Sequence, residues 1–340
     1  MALPTTARVV RLTRKPQGLP VATDFTVAEE PLAAPGPGDA VVRNRAFLVF
    51  PGLRTLLGDE GANLPLPRLA PGDALFGPAL GEVLAAPEDG PLHPGDLVVH
   101  LHGWRDAVVA DTGQFTVVDQ EFPEPLALIS AASAGYGALT RTAEVRPGDV
   151  VLVTAAAGAV GSLAGRIARL LGAGRVIGTT RSPDKAERLV AELGYDAALV
   201  PGAARPFAEQ LAEAAPDGVD VVLDLVGGEQ LTAAVDAARP GARFALVGAV
   251  AGQLDPRRGG GSAPAVVDTF RIVTLGLSLR GFTLLDHPDL EAEWRERLAG
   301  WLRAGEITFP WTPVAGIDRA PEALSRLFTG DGFGTTVVEL

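Results

Sequence analysis

Apolar residues are spaced differently in the two halves of the chain, and the spacing predicts two kinds of domain. In the first half they form short strand-like segments, such as residues 8–11, 40–47 and 79–85, divided by Pro-Gly-Asp turns. Short strands separated by such turns are typical of a β-rich domain. In the second half, strand-like segments alternate with segments of helical spacing, which predicts the β-α units of a doubly wound parallel sheet.

The sheet of the second half is predicted strand by strand. Its strands are expected at residues 150–153, 175–179, 197–200, 219–224, 243–247 and 277–285, with helices between most of them. Residues 252–264 are rich in glycine and are expected to form a loop. A helix with Leu290 and Trp294 on its apolar face follows, and residues 307–340 are predicted to return to β-rich structure.

Residues 150–162, with the sequence VVLVTAAAGAVGS, join a buried strand to a glycine-spaced turn. Gly158 and Gly161 occupy the last two glycine positions of G-x-G-x-x-G, and Ala156 replaces the first. A helix follows at once, and its free N–H groups can bind phosphate oxygens. The order of strand, turn and helix favours a dinucleotide site, and the alternative is a structural turn that binds nothing.

The end of the second strand distinguishes the two nicotinamide cofactors. An acidic residue there usually binds the ribose 2′-OH of NAD, whereas an arginine can bind the 2′-phosphate of NADP. The sequence has Arg181 and Lys185 and no acid directly after the strand, although Asp184 is near. We therefore predict NADP(H), and the alternative is a solvated basic start of a helix.

Composition narrows the classes of function. The 340 residues are 47% hydrophobic, which is enough for two domains with substantial cores. A net charge of −12 argues against nucleic acid as a partner, and no apolar run is long enough to predict a membrane span. The first residues lack an apolar signal core, so a cytoplasmic location is expected.

The chain has no cysteine, which excludes disulfides, thiolate catalysis and cysteine-ligated zinc. His100 and His102 lie two residues apart, so a metal pair is conceivable, but no third ligand is clustered with them in sequence. We therefore expect no metal.

Five segments carry a resemblance to a known family. They are PGDALFGPALGEV at 71–83, HPGDLVVHLHGW at 93–104, VRPGDVVLVTAAAGAVGSLAGRIARLLGA at 145–173, VDVVLDLVGG at 219–228, and the tail at 302–338. Together they resemble the zinc-independent medium-chain dehydrogenase/reductase superfamily, and within it the alkenal/one and prostaglandin reductases and the quinone oxidoreductases. The resemblance spans nearly the whole chain.

The resemblance implies an α/β fold of two domains. A Rossmann domain with a doubly wound parallel sheet would comprise residues 124–301, and a β-rich, GroES-like catalytic domain would comprise residues 1–123 and 302–340. It also implies hydride transfer from NADPH to an α,β-unsaturated carbonyl (enone or enoyl) substrate or to a quinone, and a homodimer formed through the strand at 277–285. The expected substrate is a small hydrophobic electrophile.

The resemblance also assigns cofactor contacts to residues of this chain. The pyrophosphate would lie on the phosphate turn, and Lys185 would bind the 2′-phosphate, with Arg181 as a second cation. The residues implied for the pyrophosphate are Ala157, Gly158, Ala159, Val160 and Gly161, and those implied for the nicotinamide side are Val247, Gly248, Ala249, Phe282, Thr283 and Leu284.

Several positions depart from the family pattern on the substrate side. Residues 50–54 read FPGLR where the family tends to have D-P-Y-M-R, and the tyrosine that usually follows Gly248 is absent. In the tail, Gly332 and Thr335 replace the asparagine and lysine of N-x-G-K. The cofactor pattern is therefore retained while the substrate pattern has changed.

Reduction of an activated alkene requires a proton donor as well as a hydride. Tyr136 and His102 are the candidate catalytic acids, and His100 is near the second of them in sequence. Tyr136 could instead be only a packing residue, and the histidines could be only polar groups of the surface or core. Solvent could then supply the proton. Because the substrate pattern has changed, a non-redox protein on the reductase scaffold, such as a binding or sensor protein or a cyclase or isomerase, is the alternative function.

Overall fold

Strands dominate the first part of the chain, strands alternating with helices fill its middle, and the tail combines strands with a helix. The computed structural model describes residues 3–58 and 67–340. Residues up to 130 contain β1 (Thr6–Leu12), β2 (Phe25–Pro31), β3 (Asp39–Val49), α1 (Leu53–Leu57), β4 (Ala79–Ala85), β5 (Leu97–His100), β6 (Ala107–Asp111) and β7 (Thr116–Val117).

The middle and the tail continue this order. Residues 131–310 contain α2 (Ala132–Gly137), a π-helical turn (Ala138–Thr142), β8 (Val150–Val153), α3 (Gly161–Leu170), β9 (Arg175–Thr179), α4 (Pro183–Leu193), β10 (Ala197–Leu199), α5 (Phe207–Ala214), β11 (Val219–Asp224), α6 (Gly228–Asp236), β12 (Ala238–Leu246), α7 (Val250–Leu254), α8 (Thr269–Leu275), β13 (Ser278–Gly281) and α9 (Leu290–Arg303). The tail contains β14 (Trp311–Ala315), α10 (Ala320–Thr329) and β15 (Thr335–Glu339).

The chain divides into two units. The first comprises residues 1–130, 311–331 and 336–340, and the second comprises residues 131–310 and 332–335. The domain boundaries predicted from the sequence were 123/124 and 301/302. The assignment of a catalytic role to one domain and a cofactor-binding role to the other stays a prediction.

The first unit is built on a seven-stranded sheet. Its strands follow the order β14-β15-β3-β4-β5-β7, and β6 also pairs with β3. The pairs of β3 with β4, β6 and β15 are antiparallel, as are the pairs of β5 with β4 and β7. Ala40, Val41 and Val42 of β3 are all buried, so both faces of the strand are covered there, and Ala40 and Val42 pack with Val98 of β5.

The second unit is a doubly wound parallel sheet of six strands. The strand order is β10-β9-β8-β11-β12-β13, and all of these pairs are parallel. Leu152, Ile177, Val222 and Phe244 of the central strands are fully buried. Helices cover both faces of such a sheet, which is why its strands read as continuous apolar runs. The predicted α/β class is confirmed.

Three local predictions needed correction. Residues 307–340 were expected to be β-rich, but α10 occupies ten of them, with Leu324 and Phe328 buried at helical spacing. The strand predicted at 277–285 is shorter, because the chain leaves the sheet after Gly281 and forms a 3₁₀ turn at Leu284–Asp286. The loop predicted at 252–264 begins inside α7.

Within residues 3–58 and 67–340, none of the helices combines the length and the apolar character needed to cross a membrane.

Candidate cofactor-binding site

The turn between β8 and α3 is tightly folded on itself. Ala155 has a positive φ of 50°, and its amide donates to Thr179 Oγ1 at 3.0 Å. A Cβ on Gly161 would lie 2.5 Å from Ala156 Cα, so only glycine fits there. A Cβ on Gly158 would meet nothing nearer than 3.4 Å. Gly161 therefore permits close packing, and Gly158 lies on the open side of the turn.

The N-terminus of α3 presents unpaired donors. The amides of Ala159, Val160 and Gly161 have no hydrogen-bond partner in the part of the chain that the structure describes. The Ser162 amide donates back to the Gly158 carbonyl at 2.9 Å, which closes the turn. Converging amides at the positive end of a helix fit a pyrophosphate.

The two predicted cations follow β9, the strand next to β8. Arg181 is exposed and has no hydrogen-bond or ion-pair partner among the described residues. Ser182 caps α4, because its Oγ accepts from the Lys185 amide at 3.4 Å. The Lys185 ammonium donates to the Gly332 carbonyl. The two cations therefore lie at the start of one helix but have different surroundings.

A buried carboxylate fixes the turn after β11, and sequence reasoning did not identify it. Asp224 is 1% exposed and accepts from Thr154 Oγ1 at 2.8 Å. It also accepts from the amides of Val226 and Gly227 at 3.0 to 3.1 Å. The Leu225 amide donates to Thr154 Oγ1 at 2.7 Å. The end of β8 and the end of β11 are thereby joined by one network.

The same residue reaches the segment predicted to line the nicotinamide. The Asp224 carbonyl accepts from the amides of Val247 and Gly248 at 2.9 and 3.2 Å. A Cβ on Gly248 would lie 2.6 Å from the Leu225 carbonyl oxygen, so glycine is needed at this contact. Ala249 follows and caps α7 with its backbone.

Phe282, Thr283 and Leu284 follow β13 at the same edge of the sheet. The Phe282 amide donates to the Leu246 carbonyl at 2.9 Å, and its ring stacks on His287 with centroids 5.0 Å apart. Thr283 Oγ1 accepts from the Leu285 amide at 3.3 Å. The predicted cofactor residues thus follow β8, β9, β12 and β13, and the carboxyl edge of such a sheet is where ligands bind.

Tyr136 lies in α2 and packs against α9. Its hydroxyl donates to the Glu293 carboxylate, and its ring centroid is 5.4 Å from that of Trp294. Burial and the neighbouring Glu293 raise the pKa of Tyr136 to about 12. These contacts favour a packing role, and proton donation by Tyr136 stays a prediction.

His100 and His102 lie in the first unit, with ring centroids 5.8 Å apart. His100 Nδ1 accepts from the His102 amide at 3.0 Å, and burial lowers the pKa of His100 to about 3. The pKa of His102 is lowered by burial, and a 2.7 Å hydrogen bond to Gln114 Oε1 opposes that shift. Both imidazoles are therefore largely neutral at pH 7. Within residues 3–58 and 67–340, no group of three His, Asp or Glu side chains is placed to hold a metal ion.

Arg54, the last residue of the altered segment 50–54, is buried within the first unit. Its side chain is 3% exposed and donates to the Gly18 carbonyl. This environment favours a structural role.

The chain is similar to known dehydrogenases and reductases over its whole length. Residues 159–302 match the family described as zinc-binding dehydrogenase, and residues 8–118 match the N-terminal domain of oxidoreductase. Prostaglandin reductase 1 of Mus musculus is 30% identical over 80% of this chain and 83% of its own length. The NADPH-dependent curcumin reductase of Escherichia coli is 27% identical over 97% of this chain and 95% of its own. The crystal structure of CurA from Vibrio vulnificus in complex with NADPH has a TM-score of 0.88 and 26% identity, and the alignment covers 98% of each chain.

Proposed function

Because the chain belongs to the zinc-independent medium-chain dehydrogenase/reductase family and is an NADP-dependent oxidoreductase, we propose that it reduces the activated C=C bond of an α,β-unsaturated carbonyl compound. The observation that carries the cofactor assignment is that the amides at the start of α3 and the Arg181 side chain after β9 have no hydrogen-bond partner among the described residues. Amides fit the pyrophosphate and a guanidinium fits the 2′-phosphate. The substrate class rests on the curcumin and prostaglandin reductases that the chain resembles.

Within this proposal, each predicted residue has a defined task. When bound, NADPH supplies the hydride. The turn from Ala157 to Gly161 holds the pyrophosphate, Arg181 and Lys185 bind the 2′-phosphate, and the segments at 247–249 and 282–284 orient the nicotinamide. Orientation matters because the hydride must approach the β-carbon of the alkene along one direction.

A proton must reach the α-carbon after the hydride has added to the β-carbon. We assign the proton donor to His102, because its ring is only partly buried, whereas the Tyr136 hydroxyl is committed to Glu293. Tyr136 is the alternative donor. The donating form is the imidazolium, which is the minor form of His102 at pH 7 and becomes more populated as the pH falls.

The function is tested by following NADPH absorbance with purified protein and a panel of enals, enones, enoyl thioesters and quinones, with NADH in parallel. We expect NADPH to be consumed faster than NADH, and an enone or enal to be the best acceptor. Turnover of quinones alone would reassign the protein as a quinone reductase. Tight NADPH binding without turnover on any acceptor would favour a non-redox protein on the reductase scaffold.

We also propose that the protein forms a homodimer through β13. This strand is at the end of the six-stranded sheet, and Val266, Phe270 and Val273 in the segment that precedes it are 83%, 72% and 76% exposed. An open strand edge flanked by exposed apolar side chains is typical of an association surface.

A further inference from the structure

Residues Gly332–Thr335 belong to the second unit, although the chain on either side of them belongs to the first. We call this segment the clasp. The Lys185 ammonium donates to the carbonyl oxygen of Gly332. The Gly334 amide donates to the carbonyl oxygen of Ala157 at 2.9 Å. The clasp therefore binds both the start of α4 and the phosphate turn.

Phe333 forms the third contact of the clasp, which is its second contact with α4. Its side chain is almost fully buried, and the Arg188 guanidinium carbon lies 3.8 Å from the centre of its ring. Arg188 is itself held by Glu192 through hydrogen bonds of 2.7 and 2.9 Å. A cation placed over an aromatic face and fixed by a carboxylate is a specific contact as well as an apolar one.

Two glycines with positive φ flank Phe333 in the clasp. Gly334 has a φ of 76°, and a Cβ there would collide with the Pro310 carbonyl. Gly332 has a φ of 85°. Because Phe333 lies between these two glycines, its packing on α4 determines where the Gly332 carbonyl points. That carbonyl is the group that receives the Lys185 ammonium.

We propose that Phe333 is a positioning residue that sets the preference for NADPH over NADH by holding Lys185 through the clasp. A lysine ammonium has three N–H donors, so a bond to a backbone carbonyl is compatible with a bond to a 2′-phosphate oxygen. A lysine side chain loses considerable rotamer freedom when it is fixed, and the clasp imposes that order before the cofactor arrives. The inference rests on the proposed binding of NADPH by Lys185.

The test measures cofactor dissociation constants by fluorescence and needs no substrate. We expect Phe333→Ala to weaken NADPH binding about fivefold, the size of one partly buried cation–π contact. NADH lacks the 2′-phosphate, so its dissociation constant is expected to stay within about twofold. In a Lys185→Met background, Phe333→Ala is expected to have no further effect on NADPH, because the residue through which it acts is gone.

Two outcomes would overturn the inference. Equal weakening of NADPH and NADH binding would show that Phe333 only stabilises the fold, and an undiminished effect in the Lys185→Met background would show that it acts by another route. If Phe333→Ala does not fold, Phe333→Leu replaces it, because leucine keeps an apolar side chain without the aromatic face. Phe333→Tyr keeps the aromatic face and is expected to retain the preference for NADPH over NADH. Absence of reductase activity would contradict the proposed reaction but not this result, because only binding is measured.

Discussion

Arg181 and Lys185 differ in what holds them before the cofactor arrives. Arg181 is exposed and unpartnered within the described residues, whereas the Lys185 ammonium already donates to the Gly332 carbonyl. Charge-assisted bonds from a guanidinium to phosphate are directional and often bidentate. We therefore expect Arg181 to contribute to NADPH binding through such bonds to the 2′-phosphate, without a role in folding.

Replacing Arg181 with glutamine should weaken NADPH binding about tenfold, the size of one exposed charge-assisted hydrogen bond, and leave NADH binding unchanged. Titration of protein fluorescence with both cofactors measures this. Arg146→Gln is the matched control, because Arg146 is exposed in the same unit but precedes β8 instead of following a strand. An equal loss for both cofactors would contradict the assignment.

If His102 donates the proton, the turnover number should rise as pH falls towards its pKa, which burial holds below the ordinary value of 6.5. The protonated fraction of such a group increases at lower pH and saturates below the pKa. The pH profile of kcat measures this, and His102→Asn is expected to lower kcat about tenfold or more and to flatten the profile.

Tyr136→Phe is the contrasting variant. It removes the hydrogen bond to Glu293, so we expect a loss of about 1 kcal/mol in unfolding free energy with the pH profile retained. A profile abolished by Tyr136→Phe and unchanged by His102→Asn would assign the proton to the tyrosine.

At the scale of elements, the turn after β11 organises the cofactor site. Asp224 joins this turn to the end of β8 through Thr154 and to the segment after β12 through its backbone carbonyl. An asparagine would place an N–H₂ donor where Oδ2 now accepts from the Gly227 amide at 3.0 Å, so two donors would face each other in a buried site.

Asp224→Asn should therefore weaken NADPH and NADH binding equally, by about tenfold, and lower the unfolding free energy by about 1–3 kcal/mol. Calorimetric titration with both cofactors and a thermal unfolding curve measure the two effects. A selective loss of NADPH binding would show that Asp224 acts near the 2′-phosphate instead.

The elements of the site differ in how well the sequence predicts them. The strands Val150–Val153, Arg175–Thr179 and Val219–Asp224 have their predicted bounds, because buried parallel strands are continuous apolar runs. The network of Asp224 was not predictable, since Thr154 lies 70 residues earlier and only the paired strands bring them together. The clasp was missed for the same reason, since its contacts join residues 147 positions apart.

At the scale of the whole molecule, the α/β fold followed from the alternation of strand and helix patterns and is confirmed. The helix α10 was not predicted; Pro321 lies in its first turn and Gly330 ends it. Its buried Ala320, Leu324 and Phe328 at helical spacing are the signal that could have revealed it.

The proposed homodimer should have about twice the 35.1 kDa mass of the chain. Phe270→Glu places a charge among the exposed apolar side chains that precede β13, so we expect it to shift the protein to the monomer at micromolar concentration. Light scattering after size-exclusion chromatography measures the mass, and Val190→Glu on α4 is the matched control. A wild-type protein that elutes as a monomer at the highest concentration tested would contradict the proposal.

The clasp also affects when the second unit can complete its folding during synthesis. Because Gly332–Thr335 complete the second unit, the ribosome must pass Thr335 before that unit has all of its parts, although its other residues end at Pro310. Domains that are continuous in sequence can fold completely as soon as they emerge, but this one can form only its β-α sheet until the clasp follows. A nascent chain halted between Pro310 and Gly332 should therefore show a β-α sheet that retains cofactor only weakly.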